Sequence, residues 1–428
     1  MQPPTPTPLP TPPGGFGESD VTFFDYDGTI VASYTATEFA NLSALPENPS
    51  HAGLIAQGWN WTRAEIQEQM TRYPNEPIYV GQMYTTESGA TEIDIELLEG
   101  RLTPVFRLYS TGIIRINFGD NTPEVTIAPS STSDLIVQAH QYASPGIYTV
   151  SINTLSSSSD TKYWFPNDDS FISNEATPIL GTNYGDVYKN GVLRIRISNS
   201  LSLIRGMGNL HRLESVSMPD GTWYQFASGT FARDNNLRYI TIPKTISILG
   251  TDVFSSCTKL EHISIPYGLS QIGTNCFRNT PMKYITMSNN ISYIGTCAFQ
   301  SSEIERLTIP NLITTLYNGL FQFCSTLSSV SLSSSLTSIE GSIFHQCENL
   351  RILTIPSTVI SIGAAAFKEC AGLKSMHILP TTPPTITATT FQSLAPDFVI
   401  YVPQGCLETY QTATNWSELA SQMQEEPA

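Results

Sequence analysis

The sequence predicts a mostly β, multidomain chain whose second half is a repeating solenoid. Three observations carry this. A Phe column (Phe231, Phe254, Phe277, Phe299, Phe321, Phe344, Phe367, Phe391) recurs at steps of 23, 23, 22, 22, 23, 23 and 24 residues. The first half holds short apolar runs bounded by Gly, Pro, Asn and Asp, which is how strands and tight turns read. Charged residues make up only 14 % of the 428, below the usual quarter, and Ser and Thr fill the deficit. At roughly 150 residues per domain, the length allows about three domains.

Residues 1–19 are Pro- and Thr-rich, then Gly-rich, and read as an extended spacer. Residues 20–103 read as a small α+β domain. Val21–Tyr26 and Thr29–Tyr34 form a hairpin around Asp27-Gly28. Thr35 with Glu38, and Thr62 with Glu65, each spell a capping box that opens a helix, the second running to about Tyr73. Ile78–Thr85 and Thr91–Leu97 read as a second hairpin, and Trp59 and Trp61 as core or loop anchors.

Residues 104–154 read as an immunoglobulin-like β-sandwich, with strands at Gly112–Phe118 and Gly146–Ile152 and a turn at Gly119-Asp120-Asn121. Two stretches, Phe118-Gly119-Asp120-Asn121 and the run from His140-Gln141-Tyr142 through Pro145-Gly146-Ile147-Tyr148-Thr149-Val150, resemble signature segments of polycystic-kidney-disease-type (PKD-type) domains. Asn121 stands where those domains carry Gly. The resemblance implies a spacer or carbohydrate-proximal module. Residues 155–186, rich in Ser, Asp and Asn, read as a connector.

Residues 187–395 form the solenoid and 396–428 its C-terminal cap. Each repeat reads Leu-x-x-Ile-x-Ile-Pro-x-x-Ile-x-x-Ile-Gly-x-x-x-Phe-x-x-Cys, as around Leu260, Ile263, Ile265, Pro266, Leu269, Ile272, Gly273 and Phe277. One copy has too few apolar residues for a core, so stacked copies must pool them. The paired aliphatics are two apart because a strand shows alternate residues to each face. Gly250, Gly273, Gly295 and Gly363 permit a bend; Tyr317 and Glu340 stand at the same position, so those turns should differ. The pattern resembles the BspA-like leucine-rich-repeat family, and the ending Ile400-Tyr401-Val402-Pro403-Gln404-Gly405-Cys406 through Tyr410 and Trp416 resembles its usual cap. That family consists mostly of bacterial surface proteins and adhesins, with some members in phage genomes. Residues Asp25–Thr29, His51–Leu54 and Gln57–Trp61 are similar to domains that precede such repeats in gut bacteria and their phages.

The chemistry reads as recognition, not catalysis. Phe23-Phe24-Asp25-Tyr26-Asp27-Gly28-Thr29 matches the first motif of haloacid-dehalogenase-type phosphatases, in which the first Asp is the nucleophile. Residues 1–100 hold no Lys, however, and no βαβ series follows. The six His form no nucleophile or metal motif, and seven Cys include no CxxC pair, so no catalytic residues, metal or cofactor are expected. Cys257, Cys324, Cys347 and Cys370 recur at the repeat period, as neighbours poised for disulfides or as buried small hydrophobes. Outward on the strands lie a Ser/Thr row (Thr241, Ser264, Thr286, Thr308, Ser331, Thr354) and a varied row (Tyr239, His262, Tyr284, Arg306, Ser329, Ile352). Tyr239, His262, Tyr284 and Arg306 are the expected ligand-binding residues, because aromatic and basic groups on one face can stack on sugars or engage acids.

The net charge is −16, from an acidic front (14 acids and two bases in residues 1–100) and mildly basic repeats. Such a chain lacks the clustered Lys and Arg that nucleic acid requires, and the basic repeats leave room for an anionic ligand. No apolar run reaches the span of a membrane helix, and the start has no signal-peptide pattern. With the family resemblance, the expectation is non-catalytic cell-surface recognition at a virion surface. The front would meet virion structural proteins, and the repeats a bacterial cell-surface protein or glycan. A bacterial surface adhesin and a structural decoration protein are the alternatives.

Overall fold

A computed structural model describes residues 21–427 except 75, 101, 110–111, 129–134, 155–171, 174–190, 199–206 and 222–224. The spacer at 1–19 and nearly all of the connector at 155–186 lie outside the described residues.

The front is a four-stranded sheet with two helices. β1 (Val21–Phe24) and β2 (Ile30–Tyr34) form the expected hairpin. α1 (Ala36–Ala40) and α2 (Arg63–Arg72) both start with complete capping boxes, Thr35 with Glu38 and Thr62 with Glu65. β3 (Leu54–Trp59) and β4 (Ile78–Thr86) complete the order β2-β1-β4-β3, with β1 and β4 parallel. Every residue of β1 and β4 is buried, so both faces of these strands are covered. On one face Val21, Phe23, Ile78 and Val80 pack with Phe39, Trp59, Trp61 and Ile66. On the other, Phe24 and Tyr79 pack against Tyr239 of the solenoid.

β5 (Thr91–Leu97) departs from expectation. It forms no hairpin with β4 but enters the next sheet, between β10 and β12. That sandwich contains β6 (Val105–Tyr109), β7 (Ile114–Asn117), β8 (Val125–Ile127), β9 (Leu135–Ala139), β10 (Gly146–Thr154) and β11 (Ile172–Ser173). β12 (Val192–Arg196) and β13 (Ser215–Ser217) extend the larger sheet to the order β13-β12-β5-β10-β7-β8; the smaller is β11-β6-β9. The physical reason lies in the sides of β5. Ile93 and Ile95 join the sandwich core, while Glu92 and Asp94 bind Arg196 of β12 at 3.0 and 2.7 Å. The sandwich corner is locked by His140, whose ring stacks on Phe118 at 3.9 Å and meets Asp120 at 2.7 Å, and by Tyr142, whose hydroxyl donates to Phe118 O at 2.9 Å. Burial raises the Asp120 carboxyl, but hydrogen bonds from Thr122 and His140 outweigh that and hold it at about 2.

In the solenoid the Phe column becomes a ring stack, with centroids 5.4–5.7 Å apart from Phe231 to Phe391. Each coil turns through left-handed corners, one of them at Arg233, Ser256, Asn279, Ser301, Phe323, Gln346 and Glu369. All seven Cys are free thiols. Those of the column donate to the Phe carbonyl of the preceding coil: Cys257 to Phe231, Cys324 to Phe299, Cys347 to Phe321 and Cys370 to Phe344, at 2.8–3.1 Å. Burial raises their thiol pKa values.

The glycine column works by close approach: a Cβ on Gly250 would meet Phe226 O at 2.7 Å, and one on Gly363 the Glu340 carbonyl carbon at 2.6 Å. Where Tyr317 replaces Gly, the short-strand ladder breaks. Strands 248–249, 271–272 and 293–294 pair in one sheet, and 315–316, 338–339 and 361–362 in another. The break coincides with the two 22-residue steps. Glu340 is accommodated differently, its carboxylate accepting from Asn318 N at 2.9 Å. The cap closes the last coil with α3 (Leu407–Thr412) and two buried rings, Tyr410 bound to Pro380 O and Trp416 to Pro384 O, both at 2.7 Å.

Candidate functional site

The long strands present the two outward rows in three separate ladders, with Tyr239 beside His262 and Thr241 beside Ser264, Arg306 beside Ser329, and Thr354 beside His377; Tyr284 and Thr286 lie between the first two, outside any strand. The structure divides this face in two. Its first half is covered by the front of the same chain. β4 lies on it so closely that a Cβ on Gly81 would fall against Thr241 and 2.6 Å from the Tyr239 hydroxyl. Asn60 Nδ2 donates to Ile242 O and Ser264 O at 3.0 and 3.2 Å, and Trp61 Nε1 to Ile265 O at 2.7 Å. Gln69 Nε2 reaches Met287 O at 2.8 Å. Thr286 replaces a ladder partner, its hydroxyl accepting from Tyr79 N and donating to Pro77 O.

Two of the four expected ligand residues, Tyr239 and His262, lie under this cover. Tyr239 is 1 % exposed, stacks on Phe24 at 5.0 Å and bonds Thr241 at 2.8 Å. His262 packs against Phe24 and Tyr79, and burial pulls its pKa down to about 4. Tyr284 and Arg306 sit half-buried at the rim: Arg306 lies 5.1 Å over the Tyr284 ring, and Tyr284 donates to Glu305 at 2.7 Å. The aromatic row is therefore a docking strip for the chain's own front, with Tyr284 and Arg306 at its border. Glu76, bonded to Thr308 Oγ1 at 2.6 Å, marks where cover ends.

Beyond that border the face is open. Ser329, Ser331, Ile352 and Thr354 are exposed, Ile352 by 58 %. The rows run on to His377 and Tyr401, whose rings stack at 4.8 Å, with Glu426 2.8 Å from His377 Nδ1. Sequence reasoning stopped the Ser/Thr row at Thr354; counting one more repeat reaches His377, and register carries it to Tyr401.

The phosphatase-like motif lies on an antiparallel hairpin. Asp25 is buried, accepts from Tyr26 N at 2.8 Å and binds His51 at 2.6 Å, while Asp27 caps its own turn through Thr29 N. That hairpin lacks the doubly wound sheet on which such phosphatases work. Among the described residues, no group of three His, Cys, Asp or Glu is placed to hold a metal ion.

Comparison with known proteins bears on this repeat. A family model for the BspA type leucine-rich-repeat region matches six copies over residues 194–305 and 294–407, half of the chain. The chain belongs to that family. Among solved structures, this leucine-rich-repeat chain is similar to a leucine-rich repeat protein from Bacteroides ovatus, at 23 % identity and TM-score 0.45, over 55 % of this chain and 66 % of that one. It thus spans just under two thirds of that relative's length. It is also similar to a leucine rich cell surface protein from Faecalibacterium prausnitzii (16 % identity, TM-score 0.31, 58 % and 86 % covered). The pneumococcal vaccine antigen PcpA is a further match (15 %, TM-score 0.29, 53 % and 76 %). No curated protein matches the chain.

Proposed function

We propose that this leucine-rich-repeat chain is a non-catalytic cell-surface recognition protein that makes contact through the open half of its long-strand face. The observation that carries the reading is the division of that face. One half is sealed by the front, and the other presents Ser331, Ile352 and Thr354 to solvent beside the half-buried His377 and Tyr401. A small-polar strip with one apolar side chain and an aromatic pair matches the mixed character of transient protein and glycan interfaces. Membership of the BspA-type family supports a cell-surface setting, and no helix among the described residues is long and apolar enough to cross a membrane. The partner is a bacterial cell-surface protein or glycan. The proposed setting is a virion surface, with virion structural proteins held through the N-terminal part; a bacterial surface adhesin uses the same face equally well. In either setting the sandwich, with its PKD-type segments, serves as a spacer.

The test is binding of the labelled full chain to intact gut bacteria, beside an Ile352→Arg/Thr354→Glu variant. Both positions are exposed, so folding is retained. Wild-type binding with at least a tenfold loss in the variant is the expected result. Equal binding by both proteins rules this face out.

A further inference from the structure

A second feature lies away from the strand face, on the turn ridge between each short strand and the next long one. There a polar groove of about 670 Å³ runs across successive coils from Gly208 to Ser301. Its line is set by the left-handed corners at Arg233, Ser256, Asn279 and Ser301. The backbone N–H groups of the first three are spent on the adjoining coil, donating to Ser255 O, Arg278 O and Gln300 O at 2.8, 2.8 and 2.9 Å. What these corners offer a ligand is therefore side chains.

The side chains that line the groove carry a net positive charge. Arg233 and Arg278 are both exposed, and among the described residues neither forms an ion pair. Lys244, Lys283 and Lys374 of the same solenoid are each paired with a carboxylate. Among the described lining residues Asp252 is the one acid, and Asn209, Asn279 and Ser256 line the same groove. A guanidinium presents a planar fork of donors suited to a carboxylate or phosphate. The coils of the two arginines are separated by one coil, and the Phe stack sets the spacing at 5.4 and 5.7 Å per step. The coils that carry them are therefore two steps apart, roughly 11 Å along the axis, with Arg233 at the left-handed corner of its coil and Arg278 one residue before it.

We propose that this groove binds an acidic polysaccharide laid along the solenoid axis. Two coil steps are about the length of a disaccharide, so a chain laid across the coils brings anions on alternate sugars to the coils of Arg233 and Arg278 in turn. Asp252, Asn279 and Ser256 hydrogen-bond the hydroxyls between them. A dense polyanion such as polyphosphate fits less well, because it has no hydroxyls to donate to Asp252 and is repelled by it. The site shares no residue with the strand face, so it stands or falls separately from the reading above.

The test is titration of the full chain with a hyaluronan decasaccharide, which carries a carboxylate on alternate sugars, beside neutral dextran and polyphosphate. Hyaluronan is expected to bind, more weakly as salt rises, and dextran not to bind. An Arg233→Ala/Arg278→Ala variant, with unchanged circular dichroism and melting temperature, should lose at least tenfold in affinity. The Ile352→Arg/Thr354→Glu variant should keep hyaluronan binding, which separates this site from the strand face. Absence of hyaluronan binding, or equal affinity in the double arginine variant, overturns the proposal. Polyphosphate binding as tightly as hyaluronan, unaltered by Asp252→Asn, overturns the assignment to a polysaccharide.

Discussion

Replacing Gly81 by Val should loosen the front from the solenoid. The first added carbon alone falls 2.6 Å from the Tyr239 hydroxyl and against Thr241, and both belong to a packed strand that cannot retreat. Strain of this kind costs about 1–3 kcal/mol. Full separation would cost more, because it gives up the bonds made by Asn60, Trp61, Gln69 and Thr286, each worth about 0.5–1.5 kcal/mol. The variant should therefore stay docked but open more often. Since about 1.4 kcal/mol is a factor of ten, amide exchange at Tyr239–Thr241 and His262–Ser264 should quicken by about fivefold to about a hundredfold. Hydrogen-exchange mass spectrometry reads this directly. Gly268→Ala is the control, because a Cβ there meets nothing nearer than Lys244 O at 3.9 Å. If Gly81→Val exchanges like the wild type across 239–265, the front does not rest on this face in solution.

Three further outcomes follow from the same geometry. His262 has a folded-state pKa of about 4, below its unfolded value near 6.5, so its contribution to docking is complete above pH 6.5 and falls as pH drops through 6.5 towards 4. The loss should reach about 3 kcal/mol, and His262→Gln should flatten the pH profile of urea unfolding between those limits. Thiol titration with an aromatic disulfide reagent should label at most Cys297 and Cys406 in the native protein, since the other five of the seven Cys are buried, and all seven in denaturant. Phe299→Ala removes a ring stacked on Phe277 and Phe321 at 5.5 and 5.7 Å. It should cost about 3–5 kcal/mol and split thermal unfolding into two steps in calorimetry, because coils support only their neighbours.

Much of the fold was legible because its signals are local or periodic. The Phe steps located the coils from Phe231 to Phe391, and Thr35/Glu38 and Thr62/Glu65 located both helix starts of the front. The Tyr317 substitution pointed to the coil where the ladder breaks. What stayed hidden was non-local. Glu87-Ser88-Gly89-Ala90 reads as a hairpin turn whichever sheet Thr91–Leu97 joins, and distant partners, the sandwich core around Ile93 and Ile95 and the Arg196 guanidinium, decide it. The cover over Tyr239 and His262 was hidden for the same reason. An aromatic row on an outward strand face reads alike whether a ligand or another part of the chain covers it. One signal was present: the rings at Tyr239, His262 and Tyr284 occupy three consecutive coils and then give way to Arg306 and Ser329, marking the width of one small domain.

The docking of β4 on the solenoid also decides how the molecule would carry mechanical load. Tension applied at Val21 enters through β1, whose register with β4 pairs Val21 with Ile78 and Phe24 with Gly81. Ladder bonds run across the strands, so a pull along β1 strains them together in shear instead of peeling them one by one. From β4 the load passes through Asn60, Trp61 and Thr286 directly into the coils. A tether at Val21 and a ligand gripped near Thr354 and Tyr401 would thus stretch a short path across the middle of the solenoid. The sandwich, although it lies between them in the sequence, would hang beside that path unstretched.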